Sequence, residues 1–233
     1  MRATESTAHA TASPDIHRFA THAEASSTLA ARVAEQLGDA VAARGVASLA
    51  VPGGATPAEF LTALGDASPD LARVTVMLTD ERWVPPDHPR SNAALVGRTL
   101  GRRAGRYRWF PLWLDGMTPA AAVEVLDAGT ADIAWPLDVA VLGMGEDGHV
   151  ASLFPGDETG FAIDARRFVA VTGPADEPRV SLSADSLVQA REVYVLLRGD
   201  AKLDVFSGAL GGTLPVARVV AARQGRVHVF ASN

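Results

Sequence analysis

Cysteine is missing from the sequence altogether, which excludes disulfides, thiolate metal sites and a cysteine nucleophile and fits a reducing compartment. Also missing is any uninterrupted apolar run near the ~20 residues that cross a bilayer. The opening stretch, MRATESTAHATASPDIHRF, lacks the apolar h-region of an export signal. The expectation is a cytoplasmic protein with no membrane partner. There is no basic tract either: 21 Lys and Arg are scattered through the chain against 27 Asp and Glu, for a net charge of −6. Nucleic acid is therefore not an expected partner, and an anionic ligand needs a local cluster of donors. A G-x-S-x-G elbow, an internal repeat and a long Gly/Ser or Pro linker are absent as well.

What is present is a chain of 233 residues with 48% hydrophobic content, enough to fill a sizeable core. Residues 1–14, rich in Ala, Thr and Ser, read as a loose tail, and residues 15–233 as a single domain. Leu29, Val33, Leu37 and Val41 recur every fourth residue, the stripe of an amphipathic helix that Gly45 ends. Short apolar runs follow at Ala47 to Val51, Val74 to Thr79, Leu137 to Leu142, Phe168 to Val171, Val193 to Leu197 and Val227 to Phe230, and read as buried strands. Helical composition lies between most of them, as at Pro57 to Leu64, Pro119 to Leu126 and Ala184 to Ala190. Alternating strand and helix predicts an α/β fold, a mainly parallel sheet covered by helices on both faces in three layers. Ligands in such sheets bind beyond the carboxyl ends of the strands.

Three segments that follow strands are polar and glycine-rich. In VPGGATPAEF, Gly53 and Gly54 allow close backbone approach, and Thr56-Pro57-Ala58-Glu59 has the form of a capped helix start. Free amides at that start make a phosphate site, or the segment is an ordinary capped turn. In LTDERWVPPDHPRSN, Asp80, Glu81 and Arg82 crowd a strand end before a proline-rich excursion to Ser91 and Asn92. The alternatives are an active site that needs both a carboxylate and a cation, and an exposed loop with solvated charges.

The third segment, DVAVLGMGEDGHVASLFPG, runs from a strand into Gly143, Gly145 and Gly148, interleaved with Glu146, Asp147 and His149. Imidazole is the side chain suited to moving a proton near neutral pH, and Asp147 is close enough in sequence to orient it. A lone structural histidine is the competing reading. The three glycines also satisfy G-x-G-x-x-G, but Glu146 and Asp147 would place negative charge where a pyrophosphate must sit, and Pro155 cuts short the helix that must follow. A dinucleotide site is rejected on those grounds.

GGATP, DERWVP with its later SN, and GMGEDGHVASLFPG stand in the order and spacing of the glucosamine-6-phosphate isomerase/6-phosphogluconolactonase family, which the chain resembles from about Phe19 to Phe230. RVSLSADSL, LLRGDAKLDVF and the Pro215 to Val219 segment extend the likeness. It implies a Rossmann-like (NagB-like) fold and a sugar phosphate held by Gly53, Gly54, Ala55 and Thr56, with Asn92, Arg179 and Lys202 assisting. Pro52 and Ala55 replace serines common in the family, so two hydroxyl contacts are lost while the amides and Thr56 remain.

Amino-sugar deaminases of the family carry a glutamate five residues after the histidine, where this chain has Phe154. The resemblance therefore implies hydrolysis of 6-phospho-D-glucono-1,5-lactone, in the oxidative branch of the pentose phosphate pathway. His149 is then the general base, Asp147 its orienting carboxylate, Arg82 a stabiliser of oxyanion or phosphate, and Asp80 a holder of sugar hydroxyls or of the arginine. Neither metal nor organic cofactor is expected. Ser152 near His149 raises a serine-nucleophile alternative. An isomerase or deaminase and a non-catalytic sugar-phosphate sensor are the others, although a helix-turn-helix has no room before the first strand. A monomer is expected, since no exposed apolar pattern demands a partner.

Overall fold

The computed structural model describes residues 13–67, 71–103, 106–162 and 166–233. Most of the expected tail over residues 1–14 lies outside them. The chain runs β1 (Asp15–Phe19), α1 (His22–Arg44), β2 (Ala47–Val51), α2 (Pro57–Ala67), β3 (Leu71–Leu78) and β4 (Asp80–Arg82). Next come α3 (Asn92–Arg98), α4 (Leu100–Arg103), β5 (Tyr107–Phe110), α5 (Pro119–Gly129) and β6 (Val139–Leu142). The last third holds β7 (Phe168–Gly173), β8 (Glu177–Leu182), α6 (Ala184–Gln189), β9 (Glu192–Arg198), α7 (Asp200–Ala209), α8 (Pro215–Ala222) and β10 (Val227–Ser232).

Helix α1 forms where the four-residue apolar spacing predicts it. The Thr21 side chain accepts from the Glu24 amide at its start, and Gly45, with φ 80°, closes its end in the left-handed region that favours glycine. Leu29, Val33 and Leu37 are fully buried and Val41 is half-buried. Each such leucine contributes about 1.5–3 kcal/mol relative to exposure.

Seven strands form a parallel sheet in the order β1-β10-β9-β6-β2-β3-β5, flanked by helices. Every carboxyl end therefore meets the same rim. From β2 the chain moves outward to β3 and β5; after β6 it reaches β9 and β10 on the other side, where β10 pairs with the earlier β1. Strands β2 and β6 are neighbours, so the loops leaving them diverge and open a crevice at that rim.

Phe168 to Val171, expected in this sheet, belongs elsewhere. It lies in β7, which pairs antiparallel with β8, and β8 pairs antiparallel with β4 to make a second, three-stranded sheet. An apolar run reports burial and not the partner, and here the partner is a hairpin neighbour. The strand expected from Leu137 begins at Val139, because Asp138 is buried and its carboxylate accepts from the Ser48 amide and pairs with Arg44 and Arg191. Strands β1, β4, β5 and β8 are additional to the sequence expectations. Their sequences, DIHRF, DER, YRWF and EPRVSL, mix charge with apolar residues and give no continuous run.

Candidate functional site

The crevice is a cleft of about 260 Å³. Its first wall is the turn between β2 and α2. Gly54 has φ 94°, in the left-handed region, so the backbone reverses there and Pro57 opens the helix. A Cβ on Gly53 would stand 1.9 Å from Asn92 Oδ1, so only glycine lets Asn92 reach this wall. Asn92 in turn donates from Nδ2 to the Asp80 carbonyl at 2.8 Å. The turn is also held from behind. His22, buried at the start of α1, bonds through Nε2 to the Thr56 carbonyl at 2.8 Å, while Nδ1 lies 3.2 Å from Ser232 Oγ at the end of β10. Because a carbonyl only accepts, the proton sits on Nε2 and Ser232 donates to Nδ1.

The second wall is β4 with β8 beside it. Asp80 is buried and accepts from Ser152 Oγ at 2.6 Å and from Thr79 Oγ1 at 3.3 Å, with Arg179 Nη1 3.7 Å away. Glu81 belongs to the scaffold: its carboxylate accepts from the amides of Arg82, Asn92 and Ala93 and from Ser91 Oγ. Burial pushes its pKa up, against the pull of those hydrogen bonds. Arg82 lies directly opposite Arg179 in the antiparallel register, which puts two guanidinium groups on one face. Arg82 donates from Nη1 to the Arg90 carbonyl at 2.6 Å, and Arg179 from Nη2 to Glu177 Oε2 at 2.8 Å. The Nε atoms of both arginines are buried without a hydrogen-bond partner among the described residues.

The third wall leaves β6 at Gly143. Gly145 and His149 bond through their backbones, and a Cβ on Gly145 would fall 2.2 Å from the His149 ring, so the hairpin folds over a position only glycine fits. Asp147 Oδ1 accepts from the His149 amide at 3.1 Å and lies 2.6 Å from its Nδ1. With Nδ1 committed to the carboxylate, Nε2 is the nitrogen left to exchange a proton with a ligand. Phe154 packs on the imidazole with ring centroids 4.9 Å apart. From the first turn of α7, Lys202 reaches across and donates to the Met144 carbonyl at 2.8 Å.

Gly53, Gly54, Ala55, Thr56, Asp80, Arg82, Asn92, His149, Arg179 and Lys202 all line this one cleft. Asp147 does not; it stands behind the imidazole. Ser152 is fully buried, its hydroxyl directed to Asp80 and 3.4 Å from Arg179 Nη1, which removes it from the position a nucleophile requires. No helix starts at the G-x-G-x-x-G spacing: the element after β6 is a short 3₁₀ turn at Thr159–Phe161. Sequence reasoning did not find His22 or Glu177, and no local motif marks either.

Residues 20–229 match the family described as glucosamine-6-phosphate isomerases/6-phosphogluconolactonase. The chain belongs to the glucosamine-6-phosphate isomerase/6-phosphogluconolactonase family. Among relatives within it, a 6-phosphogluconolactonase of Mesorhizobium japonicum is 41% identical over 212 residues, covering 87% of this chain and 88% of that protein. A crystal structure of a 6-phosphogluconolactonase from Shewanella baltica superposes with a TM-score of 0.90 at 34% identity, over 96% of this chain and 99% of that one. A monomeric glucosamine-6-phosphate deaminase, at 17% identity and a TM-score of 0.76, covers 94% of this chain and 97% of its own; it shares the fold alone. The architecture is thus common to both reaction classes of the family, and the choice between them rests on the cleft.

Proposed function

We propose that this protein hydrolyses 6-phospho-D-glucono-1,5-lactone to 6-phospho-D-gluconate, as a cytoplasmic monomer of one catalytic domain over residues 15–233, in the oxidative branch of the pentose phosphate pathway. The carrying observation is the imidazole of His149, backed by Asp147, in the same cleft as the side-by-side pair Arg82 and Arg179. Like charges directly opposite in a sheet repel, and a phosphorylated substrate removes that repulsion. The relatives named above act as support, and no helix among the described residues is long and apolar enough to cross a membrane.

In this reading the phosphate meets the amides of Gly53 to Thr56 at the start of α2, together with Arg179 and Lys202. Remote binding of that kind fixes the lactone carbonyl near the imidazole. His149 Nε2 takes a proton from water as the hydroxyl adds to the carbonyl carbon. The tetrahedral oxyanion then collapses, the bond to the ring oxygen breaks, and that oxygen takes the proton back from His149. Asp147 fixes the orientation of the ring. Asp80 positions Arg179 and the loop of Ser152, Asn92 shapes the glycine turn, and Arg82 neutralises the phosphate or the oxyanion. The substrate is an activated ester, so the proposal calls on no cofactor.

Phe154 occupies the place from which a deaminase glutamate would act, and it packs on His149. The test is a turnover assay with 6-phosphogluconolactone and with glucosamine 6-phosphate. Acid release above spontaneous opening, with no ammonia from the amino sugar, is the expected result. Ammonia release without accelerated lactone opening would overturn the proposal.

A further inference from the structure

We infer that Asp15, His17 and His228 form a binding site for a divalent transition-metal ion, Zn²⁺ by ligand type, at the rim of the sheet opposite the catalytic cleft. Asp15 and His17 lie two residues apart on β1 and so face the same side of the sheet. His228, on β10, is the register partner of Asp15. Asp15 and His228 stand at the amino ends of their strands and His17 at the middle of β1, whereas the cleft lies beyond the carboxyl ends.

One potential ligand atom from each residue lies within 4.8 Å of the other two. Asp15 Oδ2 is 3.3 Å from His17 Nε2 and 3.6 Å from His228 Nδ1. A four-coordinate zinc with bonds of about 2.0–2.1 Å sets its ligand atoms about 3.4 Å apart. Two edges of such a tetrahedron are therefore already in place, and rotation of the half-exposed His17 ring supplies the third. Two imidazoles and a carboxylate with no thiolate form a donor set suited to Zn²⁺, with water completing the fourth position.

His228 gives the second, independent observation. Its Nδ1 is buried with no hydrogen-bond partner among the described residues. An unpaired polar atom in that position carries a desolvation cost, which a metal bond would remove. The other nitrogen, Nε2, lies on the side of Glu192, with Oε2 3.9 Å away. The carboxylates of Asp15 and Glu192 stand 3.6 and 3.9 Å from the two ring nitrogens of His228, negative charge that favours a dication. The ligands sit at opposite ends of the sequence, which is why no motif announces them and why the sequence alone leads to an expectation of no metal. A bound ion would clip the edge strand β1 to β10.

Titration calorimetry of Zn²⁺ alone into the full chain tests this, with His17→Ala and Asp15→Asn as variants at half-exposed positions and His228→Gln as the buried one. One Zn²⁺ per chain is expected, with affinity lowered about tenfold or more in each variant. Zn²⁺ should also raise the thermal midpoint of the wild type and leave that of His17→Ala in place. Lactone hydrolysis is expected to persist after chelation, so this result and the catalytic proposal fail separately. Absence of binding in the wild type, or binding of equal strength in His17→Ala and Asp15→Asn, would overturn the site.

Discussion

Ser152 donates its hydroxyl hydrogen to Asp80 Oδ2 across 2.6 Å, and this bond joins the loop that carries His149 to the strand that carries Arg82. Both residues are buried, so the bond acts as a tie between two walls of the cleft. Ser152→Ala leaves a buried carboxylate oxygen without its donor, at a cost of about 1–3 kcal/mol. Chemical denaturation should register that loss, together with a partial fall in lactone turnover. Complete loss of turnover at unchanged stability would restore Ser152 as the nucleophile.

His149→Ala removes the only proposed proton carrier. With spontaneous opening subtracted, kcat is expected to fall by about 10²–10⁴-fold in a variant that keeps its fold, since the side chain is part-exposed. Retention of kcat in a folded variant would take His149 out of the mechanism.

Asp147 has a pKa below the ordinary carboxylate value: burial acts to raise it, and the His149 amide, ring and charge together outweigh burial. A lowered folded value means that the unfolded chain binds the proton more readily. The stabilisation is thus present above the ordinary carboxylate pKa and is lost as pH falls through the lowered one. The melting-temperature gap between wild type and Asp147→Asn should be open at neutral pH and close in strong acid, as pH falls through the lowered folded value. A gap that persists undiminished in strong acid would dissociate the pair from stability.

Lys202→Met deletes the cation proposed to meet the phosphate, and a charge-assisted bond of that kind is worth about 1.5–3 kcal/mol. Steady-state kinetics should show KM raised about tenfold to a hundredfold with kcat little changed. Arg82→Met, measured alongside, assigns that arginine: a rise in KM places it on the phosphate, a fall in kcat on the oxyanion. An unaltered KM in Lys202→Met would break the phosphate assignment.

Gly145→Ala inserts a methyl group 2.2 Å from the His149 ring and 2.6 Å from Asp147 Oδ1. The imidazole must shift, and a displacement near 1 Å is enough for a loss of about a hundredfold in kcat. The wall proposed to hold the phosphate is untouched, so KM should hold. Equal losses in both constants would point to wider collapse of the loop.

Periodicity made the five inner strands of the main sheet and α1 legible, because burial on both faces leaves continuous runs such as Ala47–Val51 and a four-residue stripe such as Leu29 to Leu37, whereas the edge strands β1 and β5 carry charge and give no continuous run. The second sheet was not legible: β4 is three charged residues and β8 starts with Glu and Pro, and their pairing depends on contacts distant in sequence. The site divides the same way. Asp147, Gly145 and His149 lie within five positions and announce themselves. His22 holds the Thr56 carbonyl from another helix, and Glu177 holds Arg90 and Arg179 from a second sheet, so neither leaves a local trace.

Strand β10 follows every other strand in the chain yet sits inside the sheet, between β9 and β1. During synthesis, β1 therefore waits for this partner until residues 227–232 have emerged, since β10 is its sole sheet neighbour among the described residues. A nascent chain halted short of Val227 would leave the outer edge of β9 and the whole of β1 open to other chains. Closure of the sheet thus waits on its latest strand, and a premature stop before β10 costs the beginning as well.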